Sequence, residues 1–237
     1  MAFLVMTLCV TPAFAQSPFP APSVSPAVPL TAPAQPDGKS TRVEFFDGPW
    51  DWSEPTQKEG RKDYFLASEK VGESSNSFLR ADYIPSTKGH VIYKKISWST
   101  KDFPYLRWRW RANAFPKDAK ILEDSKSDAV AQVYVSWKLG GRTYALKYFW
   151  SLSDPVGTSF HRGRWNPVGR YFGQVIRMGG ATGEWVTETR NLAEDFKKAY
   201  GKAPAEVATG IGVLTDGDAT QSDAKADYDD FEALVQP

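Results

Sequence analysis

Cationic and indole side chains alternate in the segment LRWRWRAN, residues 106–113. Successive side chains of a β-strand point to opposite faces, so a strand here places Trp108 and Trp110 on one face and three arginines on the other. We expect the indoles to be buried, because large aromatic side chains gain much from burial. Guanidinium groups bind carboxylates through paired hydrogen bonds, so the arginines call for an anionic partner.

The same two-residue period extends this polar face to four further segments, if their strands are neighbours. The face would then present cations, an amide, a phenol and a carboxylate to an anionic glycan or a small anionic ligand. The predicted ligand-binding residues are Arg107, Arg109, Arg111, Gln132, Tyr134, Lys147, Arg177 and Glu188. The alternative is a solvated face on which Arg and Glu pair across strands, each pair contributing about 0.2–1 kcal/mol.

No nucleophile elbow, zinc-protease motif or phosphate-binding glycine loop is present, so the sequence assigns no catalytic residue. His161 and Tyr148 are the candidates. His161 lies in a long predicted loop, residues 153–173, and a histidine titrates near neutral pH. With Arg109 or Arg177 to neutralise a uronate carboxylate, His161, Tyr134 or Tyr148 would remove a proton in a polysaccharide lyase. An exposed histidine without a catalytic role is the alternative.

Acidic residues near the C-terminus supply the oxygen ligands that calcium prefers. They include the pair in Asp216-Gly217-Asp218 and four more, which are Asp223, Asp227, Asp229 and Asp230. The spacing is not that of an EF-hand. The sequence predicts either no cofactor or a structural calcium ion, which Asp229 or Asp230 would hold together with Glu44 or Asp47. A solvated acidic turn is the alternative reading of these residues.

The N-terminus has the pattern of a secretory signal peptide. An apolar run over residues 2–10, too short to span a bilayer, precedes Ala-Phe-Ala at 13–15. We therefore predict a signal peptide over 1–15 that is cleaved after Ala15, and a periplasmic or secreted bacterial protein. The single cysteine, Cys9, lies in this segment, so the mature chain would have neither disulfides nor thiol catalysis.

The rest of the chain divides into a linker and one domain. Residues 16–40 are rich in Pro and Ala and predict a disordered linker, and 41–237 predict a single domain. Short β-branched and aromatic segments separated by turns predict an all-β, antiparallel sandwich. One helix is predicted near 191–201, with Asn191 as N-cap and Gly201 as terminator. A net charge of +1 does not favour nucleic acid as a partner.

Five segments together resemble a bacterial family, domain of unknown function 3047, over about residues 75–235. They are YLRWRWRANAFPKDA, DAVAQVYVSW, RTYALKYFWS, VIRMGG with EWVTETRNLAEDFKKAYG, and GIGVLTDGDATQSDAKADYDDFEAL. The resemblance implies an exported sandwich of jelly-roll, galactose-binding-like type, but no reaction. The last strand, YDDFEAL, also looks like that of carbohydrate-binding jelly rolls, in which an acidic residue often helps to hold calcium.

Two positions depart from what the resemblance implies. It implies arginine where this chain has Gln132 and asparagine where it has Lys147. If both side chains point into one site, a positive charge has moved from one strand to another, and this would retune the site without abolishing it.

Together, these features predict an exported β-sandwich that binds an anionic glycan or another cell-envelope ligand on a cationic sheet face. Two alternatives stay open at this point, a lyase acting on uronate-containing polymers and a structural envelope protein that binds other proteins. The sequence predicts no membrane span and does not indicate an oligomeric state.

Overall fold

The computed structural model describes residues 39–53, 63–85, 89–163 and 170–237. The predicted signal peptide and nearly all of the predicted linker lie outside these residues. The strands are β1 (Ser40–Glu44), β2 (Tyr64–Val71), β3 (Ser74–Tyr83), β4 (Ile92–Lys94), β5 (Trp98–Ser99), β6 (Tyr105–Ala114), β7 (Ala129–Leu139), β8 (Arg142–Ser151), β9 (Ser159–Arg162), β10 (Arg170–Met178), β11 (Val186–Asn191), β12 (Val207–Ala208), β13 (Gly210–Asp216) and β14 (Ala224–Leu234). The helix α1 (Leu192–Tyr200) follows β11 directly, and a one-turn 3-10 helix spans Asp124–Lys126.

Two six-stranded sheets form the sandwich. Sheet A has the order β11-β6-β14-β3-β2, and β1 also pairs with β14. Sheet B has the order β4-β13-β7-β8-β10-β9, and β5 pairs separately with β12. The predicted all-β jelly-roll sandwich with one short helix is confirmed. Its pairing is antiparallel except between β8 and β10, which run parallel.

Aromatic side chains of β6 join the two sheets. Trp108 and Trp110 are fully buried, as the alternation in LRWRWRAN predicts. The Trp108 ring stacks on Tyr148 of sheet B at 5.6 Å between centroids, and Trp110 lies 5.5 Å from Trp150. This contact fixes which face of β6 is the inner one.

Helix α1 begins and ends at the predicted residues. The Asn191 side chain accepts a hydrogen bond from the backbone N–H of Glu194 at 3.1 Å, which caps the first turn. Gly201 ends the helix in the left-handed region, at φ 67°. Phe196 is buried against Trp137 of sheet B, with 5.1 Å between the ring centroids.

Two edge strands carry little sequence signal. Strand β2, at the edge of sheet A, contains serine, glutamate and lysine at positions that stay exposed or half-buried. Strand β9, at the edge of sheet B, lies inside the segment 153–173 that the sequence predicts to be one loop. Edge strands bury less, so their sequences show weaker alternation. No helix among the described residues is long and apolar enough to cross a membrane.

Removal of the N-cap tests the local account of α1. We expect Asn191→Ala to lower the free energy of unfolding by about 1 kcal/mol, because the Glu194 N–H loses its acceptor. Asn191→Ser keeps an acceptor at this position and should stay near the wild-type value. Chemical denaturation of the three proteins measures the difference, and an equal loss in both variants would contradict the capping role.

Candidate functional site

The predicted polar face is divided between the two sides of the sandwich. Arg107, Arg109 and Arg111 lie on β6 of sheet A and point away from the core, opposite the buried indoles; this surface is the arginine face. Gln132 and Tyr134 lie on β7 of sheet B, on the outer side of that sheet. The expectation of one shared face is therefore wrong, because the two-residue period fixes a side chain's face on its strand but not the sheet to which the strand belongs.

Acidic residues of the neighbouring strand β14 occupy the arginine face. Nη2 of Arg107 lies 2.5 Å from the carboxylate of Glu232. Arg109 lies 2.9 Å from Asp229 and 2.6 Å from Asp230. The anionic partners predicted for these arginines are thus side chains of the protein itself.

Arg111 holds the most buried ion pairs of this face. Its guanidinium group lies 2.7 Å from Asp227, which is fully buried, and 2.9 Å from Glu69. Arg80 and Asn113 also donate hydrogen bonds to Asp227. The charge of Asp227 is therefore compensated by two arginines and an amide.

The two carboxylates favoured for calcium are engaged with Arg109. Asp229 also accepts a hydrogen bond from Asn76 at 2.9 Å. Burial, followed by the nearby charge of Asp230, raises the pKa of Asp229 to about 7, although Asn76 and Arg109 oppose this shift. Asp229 and Asp230 thus serve ion pairs on the arginine face.

The carboxylates considered as their N-terminal companions also have protein partners. Lys94 lies 2.6 Å from Glu44, and Trp52 donates a second hydrogen bond to the same carboxylate. Asp47 pairs with Arg42 at 2.6 Å. Glu44 and Asp47 therefore each form an ion pair within the protein, instead of facing Asp229 or Asp230 across a shared ion.

Arg177 and Glu188 form an ion pair between the two sheets. In the register of β11 with β6, Glu188 lies opposite Trp108 and so points to the inner side. It lies 2.5 Å from Arg177 of β10 and accepts a hydrogen bond from Trp110 at 3.3 Å. These two residues belong to neither outer face.

The two catalytic candidates are in different environments. Tyr148 is 1% exposed, and its hydroxyl donates to Asp195 in the core at 2.8 Å. Burial and Asp195 raise the pKa of Tyr148 well above its ordinary value. A substrate has no access to this hydroxyl.

His161 borders a cavity of about 270 Å³ at the end of α1. Its described lining is cationic and aromatic, and consists of Tyr144, His161, Arg170, Ala199, Tyr200 and Lys202. Burial and Arg170 lower the pKa of His161, so its neutral form is favoured at neutral pH. Tyr148 does not line this cavity, and the predicted catalytic pair is therefore not assembled.

Lys147 lies at the centre of a second candidate site, on the outer side of sheet B. It pairs with Tyr134 across β7 and β8, and it is 6% exposed. Its Nζ lies 4.6 Å from the ring centroids of Tyr134 and Phe149 and 5.1 Å from that of Tyr171. Among the described residues, no carboxylate lies within ion-pair distance of this ammonium group and no acceptor hydrogen-bonds to it.

Burial is the main reason that the pKa of Lys147 lies well below its ordinary value. The charge of Asp216 opposes this shift, and that of Arg162 adds to it. The ammonium thus has aromatic contacts on three sides without a direct counter-charge. The arginines of the opposite face, in contrast, each contact at least one carboxylate.

A row of aromatic rings crosses sheet B beside Lys147. Tyr134, Tyr171 and Phe160 are half-buried and come from β7, β10 and β9. Tyr171 lies 6.2 Å from Tyr134 and 6.3 Å from Phe160, measured between ring centroids. Gly173 permits this spacing, because a Cβ there would come within 2.8 Å of the Phe160 ring. We call the surface formed by Gln132, Tyr134, Lys147, Phe160 and Tyr171 the lysine face.

Gln132 and Lys147, the two positions at which the resemblance implies a different residue, share the lysine face. Gln132 donates to Asp216 through Nε2 at 2.7 Å. Burial raises the pKa of Asp216, and the charge of Lys147 opposes that shift. Gln132 and Lys147 therefore both act on the surroundings of one half-buried carboxylate.

Sequence reasoning missed Tyr171, Phe160 and Asp216 as members of this site. The alternation in RYFGQV and SFHR does place Tyr171 and Phe160 opposite the core-facing side chains of their strands. Assigning them to the lysine face also requires knowing that β10 lies beside β8, which the chain reaches by a parallel connection. The sequence indicates Asp216 only as one of several acidic residues that could supply oxygen ligands to calcium.

The arginine face offers a test of its role in stability. We expect Asp227→Ala to lower the free energy of unfolding by about 3–5 kcal/mol, because a buried carboxylate is removed from between two arginines. Glu232→Ala breaks the more exposed pair with Arg107 and should cost about 0–1 kcal/mol. Urea denaturation of both variants measures this ratio, and equal effects would contradict the buried network.

Many solved structures are similar to this chain at low identity, and three of them are as follows. The family 11 carbohydrate-binding module from Clostridium thermocellum, in complex with a β-1,3-1,4-mixed-linked tetrasaccharide, has TM-score 0.41 and 9% identity, and the match covers 83% of this chain and 95% of that one. The xyloglucanase domain of NopAA from Sinorhizobium fredii, in complex with cellobiose, has TM-score 0.41 and 9% identity, with 84% and 98% covered. Endoglucanase 3 from Trichoderma harzianum, of family GH12, has TM-score 0.40 and 9% identity, with 85% and 98% covered. Likeness at this level carries no argument about ligand or reaction.

The sequence comparisons give one match. No curated protein sequence matches the chain. A family model, described as a protein of unknown function (DUF3047), matches residues 50–232. This range includes both sites and nearly all of the strands, and it confirms the resemblance found in the five segments. The chain belongs to the DUF3047 family.

Proposed function

We propose that the protein binds an anionic glycan on the lysine face. The observation that carries this proposal is Lys147, whose ammonium group is nearly buried and has no carboxylate or other acceptor in contact among the described residues. A buried charge without a partner is unfavourable, because burial removes its hydration. A uronate carboxylate or a phosphate on the ligand would supply the missing counter-charge.

The aromatic row supplies the second requirement for a glycan. The half-buried rings of Tyr134 and Tyr171 present apolar surface on which a sugar ring could stack, while their hydroxyls could bond to sugar hydroxyls. Sites of this kind combine aromatic walls with few polar groups that fix orientation. The ligand class predicted from the sequence is retained, but its site moves to the opposite face of the sandwich.

The arginine face is a poorer candidate. Its three guanidinium groups already contact carboxylates of the protein, so an anionic ligand would have to displace buried ion pairs.

The lyase alternative is also weakened, because its candidate residues occupy four separate environments. These residues are Arg109, Arg177, His161 and Tyr148. No contact among the described residues favours the structural envelope module. Export to the periplasm or the medium stays a prediction from residues 1–15.

Calorimetric titration with short oligouronates tests the proposal, and neutral cello-oligosaccharides serve as the uncharged control. We expect Lys147→Met to weaken oligouronate binding by about 10- to 100-fold, because a charged contact contributes about 1.5–3 kcal/mol. Lys138→Met is the matched control. Lys138 is exposed on β7, on the same outer side of sheet B as Lys147, and we expect this variant to bind the oligouronates as the wild type does.

Thermal unfolding shows whether the variants fold. Lys147→Met should be at least as stable as the wild type, because methionine fills a similar volume without burying a charge. Equal binding by the Lys147→Met and Lys138→Met proteins would place the site elsewhere. Equal affinity of the wild type for acidic and neutral oligosaccharides would refute the anionic ligand. Release of unsaturated sugars absorbing in the near ultraviolet would make the protein a lyase rather than a binder.

A further inference from the structure

Three carboxylates meet where strand β13 ends and strand β7 begins. Asp216 is the last residue of β13 and pairs with Ala129, the first residue of β7. Asp128 immediately precedes β7, and Asp218 follows in the turn after β13. One oxygen from each carboxylate lies within 4.8 Å of the other two. Calcium binds oxygen at about 2.3–2.6 Å, so one ion placed between these oxygens can contact all three.

Backbone and hydroxyl donors hold these carboxylates in place. Asp128 is fully buried and accepts hydrogen bonds from the N–H groups of Ala219 and Thr220 and from the Thr220 hydroxyl. Asp218 accepts one from the N–H of Gly89. All of these donors are neutral. Among the described residues, no lysine, arginine or histidine forms an ion pair with Asp128, Asp216 or Asp218.

The mutual repulsion of these acids is therefore left without a contacting cation. Lys147 lies on the same sheet, but its Nζ is directed into the rings of the lysine face and contacts none of the three. Asp128 is buried, and Asp216 and Asp218 are half-buried. Carboxylates that share a site repel one another, and a cation between them relieves this repulsion.

Gln132 provides an independent indication of a cation. Its side chain is buried, with 1% exposed, and its Nε2 donates to Asp216 at 2.7 Å. Its Oε1 has no hydrogen-bond partner in the part of the chain that the structure describes. Buried amide oxygens are rarely left unpaired in native proteins. An amide oxygen is also a ligand type that calcium accepts, and the amide group that carries this one bonds to Asp216 of the acidic cluster.

We propose that Asp128, Asp216 and Asp218, with the side-chain oxygen of Gln132, form a calcium site. The ligands are all oxygen atoms, three of them charged, as expected for a hard divalent cation. This site replaces the one that the sequence suggested at Asp229 and Asp230, whose carboxylates hold Arg109.

The ion would join three segments of the chain. It would hold the start of β7 to the end of β13 and, through Asp218, to the Gly89 segment that precedes β4. Gly217 makes the turn possible, because a Cβ there would collide with the carbonyl oxygen of Ser222. Since Gln132 also belongs to the lysine face, calcium would stiffen the floor of that face.

Calcium binding is measured on the chelator-treated protein, without any glycan, so its result is independent of the proposed function. Titration calorimetry with CaCl2 should give one ion per chain, and thermal unfolding should occur at a higher temperature in CaCl2 than in EDTA. Asp218→Asn should lose both effects. Asp223→Asn is the matched control, since Asp223 is exposed in the same turn region and should keep both.

Gln132→Glu separates a ligand role from a structural one. The added carboxylate should lower the unfolding temperature in EDTA through repulsion from Asp216. Calcium should then raise the unfolding temperature of this variant by more than it raises that of the wild type.

Absence of calcium binding by the wild type at millimolar concentration would overturn the proposal in favour of a proton shared by the carboxylates. Equal loss of binding in Asp218→Asn and Asp223→Asn would place the ion elsewhere, and a response to MgCl2 equal to that for CaCl2 would refute calcium as the specific ion.

Discussion

Burial of the β6 indoles is the constraint on which both outer faces of the sandwich depend. Trp108 and Trp110 pack on rings of sheet B, so the intervening arginines must point outward. Strand β14 lies beside β6 and places Asp227 and Asp229 opposite them, both with no exposed surface. Those carboxylates can be buried only because the guanidinium groups are there. The apolar contact inside and the ion pairs outside therefore stabilise the same strand alignment.

The sequence predicts the local features of this fold, but it does not predict the contacts between residues that are far apart in the chain. Alternation gives the inner face of β6 correctly, and Asn191 and Gly201 give both ends of α1, because each depends on residues a few positions apart. Arg109 bonds to Asp229, which lies 120 residues further along the chain. The residues near Arg109 in the sequence do not indicate this contact, because it depends on the order of the strands in sheet A.

The lysine face also depends on long-range contacts that the sequence does not predict. Gln132 and Lys147 stand out in the sequence only against the family pattern, and the register of β7 with β8 brings them to one surface. What they act on becomes visible only with Asp216, which β13 contributes on the far side of β7. The side chain beside this carboxylate is therefore a neutral amide, that of Gln132, rather than a cation.

Arg111 and Lys147 both contact aromatic rings, on opposite sides of the sandwich, but only Arg111 also contacts carboxylates among the described residues. The guanidinium group of Arg111 lies 4.4 Å from the Trp185 ring and also contacts two carboxylates. Lys147 has rings alone among its described contacts. A cation–π contact contributes about 0.5–2 kcal/mol, whereas desolvation of an ammonium group costs several kcal/mol. Rings by themselves therefore do not compensate the burial of Lys147, and under the proposed function an anion from outside the chain would supply this compensation.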